Sequence, residues 1–488
     1  MTCQSIRIFS VAAAALAVAA GASSSAALAD SDLYVGFTAL DPEAETRTPN
    51  AYIVVQDGII TAAGAGTPPV DIAVDAVHDM SGLFALPGFI DAHAHITQGP
   101  QNIVMEEDGP VVTMESDDAI TPYMGRWALA YGVTTVRNPG GDPEANARYD
   151  ANVASGEWLG PEAFHAGAVI QPPPFGGSAF AYPQTEEEWD AEAARQAALG
   201  MTYFKLYVGL SEDELASGIR AAHAHGLQAI AHLDQVSWTR AIELGVDGLE
   251  HALATSPDLL EPAAREIYVT ERDFTSKYMY RWYELADYDG PLIQELFNQL
   301  AAEQVATNMT LIVNELVYNA DDAEAYMARI TPNGEPSVDD LPGPFRELTE
   351  FNLTQLGRST TGWSDGDHAR ARAVLPKVLE FARRIHAAGA PMMVGTDGPG
   401  GGVYYARELE LHVQAGIPAW EVLRMATSRT ADILGIGDRT GRLAVGYEAD
   451  VAFLDADPSL DPGDAYRVRA VLTNGDFHQT DDLKGEMQ

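Results

Sequence analysis

Six ionisable side chains that can hold metal ions stand at comparable places along this 488-residue sequence. Two of them, His93 and His95, are two residues apart in LPGFIDAHAHI, where the Pro87-Gly88 turn precedes an apolar segment typical of a strand. Because strand side chains alternate between faces, Asp91, His93 and His95 are expected on one side, which suits a bidentate metal site. The other four groups each lie in or end a short apolar segment and are Lys205, His232, His251 and Asp397.

An ionisable group in an apolar segment is costly to bury unless it is paired or bound to a metal. Taken singly, each of the six could be a satisfied core residue, and His93 and His95 could be a chance pair on a solvated strand. Six such groups at equivalent strand ends indicate one shared site.

Helical and strand patterns alternate at short intervals between about Thr121 and Asp397. The Ser211–Glu214 pair matches a capping box at the start of one helix. About eight strands, including NMTLIVNEL and APMMVGTDG, predict an α/β fold, a (β/α)8 TIM-type barrel whose strand ends carry the six groups. A doubly wound sheet is the alternative, but the Gly-rich phosphate turn that it needs after the first strand is absent. Glycines expected to end helices are Gly132, Gly200, Gly226 and Gly245.

The two ends of the chain differ from this alternating region. Residues 30–86 and 439–488 contain short strands separated by turns, and we expect them to pair in one small β-sandwich domain built from both termini. Residues 87–438 then form the barrel. The stretches near 256–307 and 320–388 exceed the length of a simple βα unit and are expected to be helical insertions.

Residues 1–29 have the features of a secretory signal peptide. Arg7 precedes an Ala/Val-rich apolar run, and Ala27-Leu28-Ala29 fits the small-residue cleavage rule. A membrane anchor is the alternative, but the apolar stretch is short and no stop-transfer flank follows it. Cleavage would place the protein in the periplasm or outside the cell. It would also remove Cys3, the sole cysteine, so that histidine, carboxylate or lysine-derived groups must hold any metal.

Acidic residues outnumber basic ones by 71 to 29, which gives a formal net charge of −42. Such a surface repels nucleic acid and anionic membranes. We therefore expect a small-molecule substrate, no nucleic-acid partner, and no membrane contact after signal cleavage. The charge serves solubility, or it steers cationic substrates to the site. A homo-oligomer is compatible with the sequence.

The ordered set of strand-end groups resembles the amidohydrolase superfamily, and the matching residues are the HxH of His93 and His95, then His232 and His251, then Thr396-Asp397. The tail GRLAVGYEADVAFLDADP is similar to that family's closing β-domain. Lys205 in FKLYVG is similar to the imidazolonepropionase-like branch, which includes binuclear metal-dependent dipeptidases acting on Xaa-Pro-like substrates. Deaminases of the superfamily carry a glutamate shortly after the fifth-strand histidine, and HLDQV has none, which argues against deamination.

The resemblance implies a metal-dependent hydrolase of carbon–nitrogen bonds with two divalent metal ions. Zinc is expected from the imidazole and carboxylate ligands, and manganese, cobalt or iron suit the same set. Two such ions polarise a carbonyl and generate hydroxide near neutral pH, and Asp397 would carry its proton to the leaving nitrogen. The implied ligands are His93, His95 and Asp397 for one ion, His232 and His251 for the other, and carboxylated Lys205 as the bridge.

The expected function is a secreted or periplasmic amidohydrolase that cleaves an amide bond in a dipeptide, an N-acyl amino acid or a similar small molecule. The alternatives are a cyclic-amide or lactone hydrolase, a mononuclear imidazolonepropionase-like hydrolase, and a non-catalytic ligand-binding barrel. The intact ligand set counts against the last of these.

Loops after barrel strands are expected to contact the substrate, and the candidates are Tyr207, Tyr404, Tyr405 and Arg407. Ordinary loop packing is the alternative for these four side chains. His223 and His225 copy the HxH spacing, but they lie on a predicted helix, where residues two apart do not share a face. They are not expected to bind metal.

Overall fold

The computed structural model describes residues 31–69, 74–106, 109–272, 275–331 and 343–485. The predicted signal peptide, residues 1–29, lies outside these ranges. Within them, no helix is both long enough and apolar enough to cross a bilayer.

The strands are β1 (Ser31–Asp41), β2 (Thr46–Gln56), β3 (Ile59–Ala65), β4 (Ala76–Asp79), β5 (Phe84–Pro87), β6 (Phe89–Asp91), β7 (Gln98–Glu106), β8 (Gly109–Ser116), β9 (Val133–Asn138), β10 (Glu162–His165), β11 (Val169–Ile170), β12 (Phe175–Gly176), β13 (Phe180–Ala181), β14 (Tyr203–Leu206), β15 (Gln228–Ala231), β16 (Gly248–Glu250), β17 (Ala306–Asn308), β18 (Met392–Met393), β19 (Val451–Leu454), β20 (Val468–Thr473) and β21 (Asp476–Gln479).

The helices are α1 (Thr121–Ala130), α2 (Pro143–Ala154), α3 (Glu186–Ala198), α4 (Glu212–Ala224), α5 (Trp238–Leu244), α6 (Pro262–Glu271), α7 (Tyr278–Leu285), α8 (Pro291–Ala302), α9 (Leu311–Tyr318), α10 (Ala323–Ile330), α11 (Gly343–Ser359), α12 (Asp365–Ala388), α13 (Gly402–Gln414), α14 (Ala419–Met425), α15 (Ser428–Ile433) and α16 (Thr480–Gly485).

The barrel strands are parallel and belong to two sheets. Strands β6, β9 and β10 form the first sheet. The second sheet contains β14 to β18 in chain order, and β11 and β13 lie beyond β14 at its edge. The two sheets meet at isolated parallel bridges, Ala94 with Gly398 at one junction and Ala166 with Tyr203 at the other. The predicted α/β class and TIM-type barrel are confirmed, with β6, β9, β10 and β14 to β18 as its successive strands.

Strands from both ends of the chain pair in one further sheet, in the order β21-β20-β19-β5-β1-β2-β3, and β4 pairs with β1 beside β5. The antiparallel pair of β5 and β19 joins the two ends. Tyr34 and Phe37 of β1 pack against Phe453 of β19, with ring centroids 6.1 and 5.6 Å away. The β-rich domain built from both termini is confirmed, and its residue boundaries stay a prediction.

Local sequence signals place the barrel elements. The predicted capping box starts α4, where Ser211 N lies 2.8 Å from Glu214 Oε2 and Ser211 Oγ accepts from Glu214 N. Gly245 ends α5 with a φ of 94°, in the left-handed conformation that glycine adopts at little cost. His232 directly follows β15, and His251 directly follows β16. Both residues therefore stand at the carboxyl end of the barrel.

The prediction of a strand over NMTLIVNEL is wrong. The barrel strand β17 ends at Asn308, and most of this segment is helix α9. Periodicity alone does not separate a buried strand from a buried helix in a short apolar run, and α9 is buried on most sides. The hairpin of β7 and β8, which β12 extends, has no counterpart in the sequence prediction. Helices α6 to α8 and α10 to α12 occupy the two ranges expected to be helical.

Candidate metal centre

Asp397 is the point at which the predicted ligands meet. Its Oδ1 lies 3.1 Å from His93 Nε2 and 3.0 Å from His95 Nε2, and its Oδ2 lies 4.0 Å from His251 Nδ1. His93, His251 and Asp397 each offer one ligand atom, and these atoms all lie within 4.8 Å of one another. Residues from the first, sixth and eighth barrel strands therefore form one cluster that could hold a cation.

His232 extends this cluster beside His251, and the amine of Lys205 interacts electrostatically with both His232 and Asp397. The His232 and His251 ring centroids are 4.4 Å apart, and Tyr207, whose ring is 4.7 Å from that of His232, lies 5.6 Å from Lys205 Nζ. Lys205 is 2% exposed, and within the described residues neither its Nζ nor His232 Nδ1 has a hydrogen-bond partner. Because burying a polar atom without a partner is costly, these two orphaned nitrogens fit a site built to bind something.

The protonation states suit metal ligands. Burial lowers the pKa of His232 to about 3 and, together with the neighbouring His232, lowers the pKa of His251 well below its ordinary value. Burial alone would raise the pKa of Asp397, but the imidazoles of His251 and His93 hold it well below its usual range. Ligands must be deprotonated to bind a metal, so the neutral imidazoles of His232 and His251 and the ionised carboxylate of Asp397 are ready at neutral pH.

The amine of Lys205 has a lowered pKa. Burial is the main cause, Glu250 and Asp397 oppose the decrease, Arg137 adds to it, and the resulting pKa is about 8. A buried amine near neutrality is a nucleophile for small electrophiles, whereas an exposed lysine is nearly always protonated.

A buried ion pair beneath the cluster was not predicted. Glu250 Oε2 lies 2.7 Å from His93 Nδ1, and Arg137 donates to both Glu250 oxygens at 2.7 Å and to the carbonyl of Ala92. A carboxylate at Nδ1 fixes the ring so that Nε2 faces Asp397. The signal was available, because Arg137 and Glu250 are charged residues in apolar strands, as Lys205 is.

Asp91 does not join the histidines, although strand alternation placed it on their face. Its carboxylate accepts from Thr396 N at 3.1 Å, from Thr396 Oγ1 at 2.8 Å and from Gly401 N at 3.3 Å. It therefore ties the first strand to the loop that carries Asp397. Asp397 in that loop has a φ of 58°, and His251 after the sixth barrel strand has a φ of 65°. Both values lie in the left-handed region of the backbone, which costs energy for residues other than glycine.

The four candidate substrate contacts separate into two pairs. Tyr207 borders His232, and Tyr404 lies in the first turn of α13, just after the Asp397 loop. Tyr405 instead donates its hydroxyl to the carbonyl of Ile90 at 2.9 Å, and Arg407 forms ion pairs with Glu315 and Glu410. Partners inside the protein therefore hold Tyr405 and Arg407, and the role of all four side chains in substrate binding stays a prediction.

The internal hydrogen bond of Tyr405 predicts that Tyr405→Phe leaves the KM of amide hydrolysis unchanged. The lost hydrogen bond should lower the free energy of unfolding by about 1 kcal/mol, which urea denaturation measures. Tyr207→Phe is the matched variant, and it should raise KM. A raised KM for Tyr405→Phe would instead indicate that Tyr405 contacts the substrate.

Residues 84–480 match the Amidohydrolase family. The chain belongs to this family. This amidohydrolase is 28% identical over 238 residues to the imidazolonepropionase of Sphingopyxis alaskensis, a match that covers 41% of this chain and 58% of that protein. The chain thus spans a little over half the length of this curated relative. The predicted resemblance to amidohydrolases is confirmed, and so, at the level of the family, is the prediction of a metal-dependent hydrolase.

Solved structures agree with the amidohydrolase fold. A Xaa-Pro dipeptidase with methionine bound in its active site has a TM-score of 0.65 at 18% identity and covers 92% of this chain and 100% of its own. A bottromycin amidohydrolase has a TM-score of 0.63 at 19% identity and covers 93% of this chain and 88% of its own. At these identities the similarity shows the fold alone.

Proposed function

We propose that the chain is a binuclear metal-dependent hydrolase that cleaves an amide bond of a dipeptide, an N-acyl amino acid or a similar small molecule. The observation that carries the proposal is the buried Lys205 amine, which has no hydrogen-bond partner within the described residues and lies beside a row of imidazoles. Neighbouring rings along the row of His95, His93, His251 and His232 are 5.5, 4.6 and 4.4 Å apart.

Lys205 fits a bridging role only after a change in its chemistry. A protonated amine has no lone pair to offer a metal, so the ammonium form is excluded from ligation. Addition of carbon dioxide to the neutral amine forms one N–C bond, releases one proton and leaves a carbamate with two oxygen donors. Its low exposure and its lowered pKa favour this reaction at Lys205.

The proposed division of the ligands between two ions follows the resemblance to binuclear amidohydrolases, and the proximity of Asp397 to His93 and His95 and of His232 to His251 supports it. His93, His95 and Asp397 would hold one divalent ion, His232 and His251 would hold a second, and the carbamate of Lys205 would be shared. Bound divalent ions, with zinc expected from these ligands, would polarise the substrate carbonyl and activate water near neutral pH.

Asp397 supplies the proton transfer that amide cleavage requires. Its carboxylate is ionised and 27% exposed, so it can accept the proton that water loses and deliver it to the leaving nitrogen. Tyr207 lies beside His232, and Tyr404 lies in the helix that follows the Asp397 loop, so both are proposed to orient the substrate. The names of the solved relatives, a dipeptidase and an amidohydrolase, support the choice of an amide substrate.

A mononuclear imidazolonepropionase-like hydrolase is the second candidate, because the curated relative carries that activity in its name. Lys205 separates the two candidates, since a mononuclear site has no use for a bridging carbamate.

The test of the proposed reaction is a screen of the purified protein against dipeptides and N-acyl amino acids, with amine release as the readout. We expect release by the zinc-loaded protein, its loss after chelation and its return with added zinc. Lactone hydrolysis without amide hydrolysis would instead support the lactonase alternative. Failure of the zinc-loaded protein on every amide would contradict the proposal.

The metal content gives a separate prediction. Protein prepared with zinc and bicarbonate should contain about two metal ions per chain, because the ligands divide into two groups around Lys205. Elemental analysis after desalting measures this number. A firm value near one would reject the binuclear proposal and favour the mononuclear candidate.

We also propose that the protein is exported, on the basis of Arg7, the apolar run and Ala27-Leu28-Ala29. The intact mass of the protein recovered from the periplasm should correspond to a chain that starts at Asp30. Full-length protein confined to the cytoplasm would contradict export.

A further inference from the structure

Helix α9 begins in an unusual way beside the candidate metal centre. Its N-cap residue, Thr310, has a φ of 40° and makes no side-chain hydrogen bond to its own helix. A threonine at this position ordinarily caps the helix through its hydroxyl, and a β-branched residue rarely adopts a positive φ. The Thr310 hydroxyl instead lies 2.8 Å from His251 Nδ1.

A carboxylate from another helix replaces the missing cap. Glu408 of α13 accepts from Leu311 N at 2.9 Å and from Ile312 N at 2.7 Å, so both of its oxygens bind the first turn of α9. Glu408 is 0% exposed and lies 3.4 Å from His412 Nδ1, and burial raises the pKa of its carboxyl group to about 8. Its two oxygens satisfy N–H groups that a helix leaves free at its N-terminus.

We propose that Glu408 is a positioning residue for the second metal ion, the one assigned to His232 and His251. By holding the first turn of α9, Glu408 keeps Thr310 in its strained conformation, with its hydroxyl free to accept from His251 Nδ1. A proton held at Nδ1 leaves the Nε2 lone pair of His251 for the metal. The inference rests on the proposed binuclear function.

The two metal positions differ in how their histidines are held, and this difference makes the effect selective. His93 is oriented by the carboxylate of Glu250, which is itself paired with Arg137. His251 is oriented by a neutral hydroxyl whose position depends on Glu408. Loss of Glu408 should therefore weaken the ion at His251 and leave the ion at His93 in place.

The chain offers a matched control in the neighbouring residue pair. Arg407 donates to both oxygens of Glu315, at 2.9 and 2.8 Å, and so ties α13 to α9 without touching the first turn of α9. Glu408→Gln and Glu315→Gln therefore each replace one buried acidic side chain between the same two helices. Only Glu408→Gln should change how His251 is positioned.

The test is a zinc titration of metal-depleted wild type, Glu408→Gln and Glu315→Gln in bicarbonate buffer, with the affinity of each equivalent measured by competition with a chromophoric chelator. We expect the second equivalent to bind about 10–100-fold more weakly in Glu408→Gln, with the first unchanged and with both unchanged in Glu315→Gln. Thermal unfolding of the two variants measures how much each substitution lowers the stability of the fold.

A double variant shows whether Glu408 acts through Thr310. In a Thr310→Val background, which itself should weaken the second equivalent, Glu408→Gln should add little further weakening. Thr310→Ser, which keeps the hydroxyl, should retain normal affinity. If Glu408→Gln does not fold, the Thr310→Val and Thr310→Ser pair carries the test.

Unchanged affinity for the second equivalent in Glu408→Gln, or in Thr310→Val, would overturn the positioning role while the binuclear proposal stands. Equal weakening by Glu315→Gln would also overturn it, because the effect would then come from helix packing. A wild-type protein that binds one ion would overturn both the positioning role and the proposed function.

Discussion

Asp397→Asn is expected to lower the turnover of amide hydrolysis by about 10²–10⁴-fold while the protein retains most of its metal. Asp397 Oδ1 lies within 3.1 Å of two imidazole nitrogens, and an amide oxygen at that place can still ligate weakly. The amide cannot accept a proton at neutral pH, however, so the transfer from water to the leaving nitrogen is lost. Turnover and metal content measured on the same preparation check the prediction.

Asp234→Asn is the matched control for this experiment. Asp234 also follows a barrel strand, but it pairs with Arg272 at 2.9 Å and accepts from Gly209 N at 3.0 Å. Its substitution should change turnover far less than that of Asp397. An Asp397→Asn enzyme with near-normal turnover would end the proposed role of Asp397 even if the protein holds two metal ions.

Lys205→Ala should lose both metal and activity, because it removes the proposed bridge rather than a proton carrier. The substitution also leaves space in a buried place, since Lys205 is 2% exposed. A short carboxylic acid such as propionate should enter that space, supply two oxygen donors and partly restore metal content and turnover. Elemental analysis and turnover with and without propionate measure both effects.

The control for rescue is the wild-type protein, whose turnover propionate should leave unchanged or reduce. Lys377→Ala is the control for loss of a lysine. Lys377 of α12 donates to backbone carbonyls at the end of α7, outside the metal centre. A Lys205→Ala protein that keeps two ions and its activity would contradict the bridging role.

The features that sequence predicts well here are those set by local chemistry. The glycine that ends α5 and the capping box of α4 depend on a few neighbouring residues, and both are found where expected. Metal-ligand candidates were found because an ionisable group in an apolar strand is costly to bury without a partner. That rule needs no knowledge of which strands become neighbours.

The features that sequence misses depend on contacts between distant segments. The segment expected to be a strand is helix α9, whose first turn is capped by Glu408, almost a hundred residues away, and no residue near Leu311 signals a helix start. The ion pair of Arg407 with Glu315 depends on how α13 packs against α9, so the sequence does not predict it. The ion pair of Glu250 with Arg137 beneath His93 likewise joins two segments that are distant in the sequence, so local patterns do not reveal it.

The central claim is that amide hydrolysis depends on two metal ions held around Lys205. The most direct measurement is the rate of amide hydrolysis as zinc is added stepwise to metal-depleted protein in bicarbonate buffer. We expect the rate to rise until about two equivalents per chain have been added and then to level off. A rate that reaches its full value at one equivalent and does not change with the second would contradict the claim.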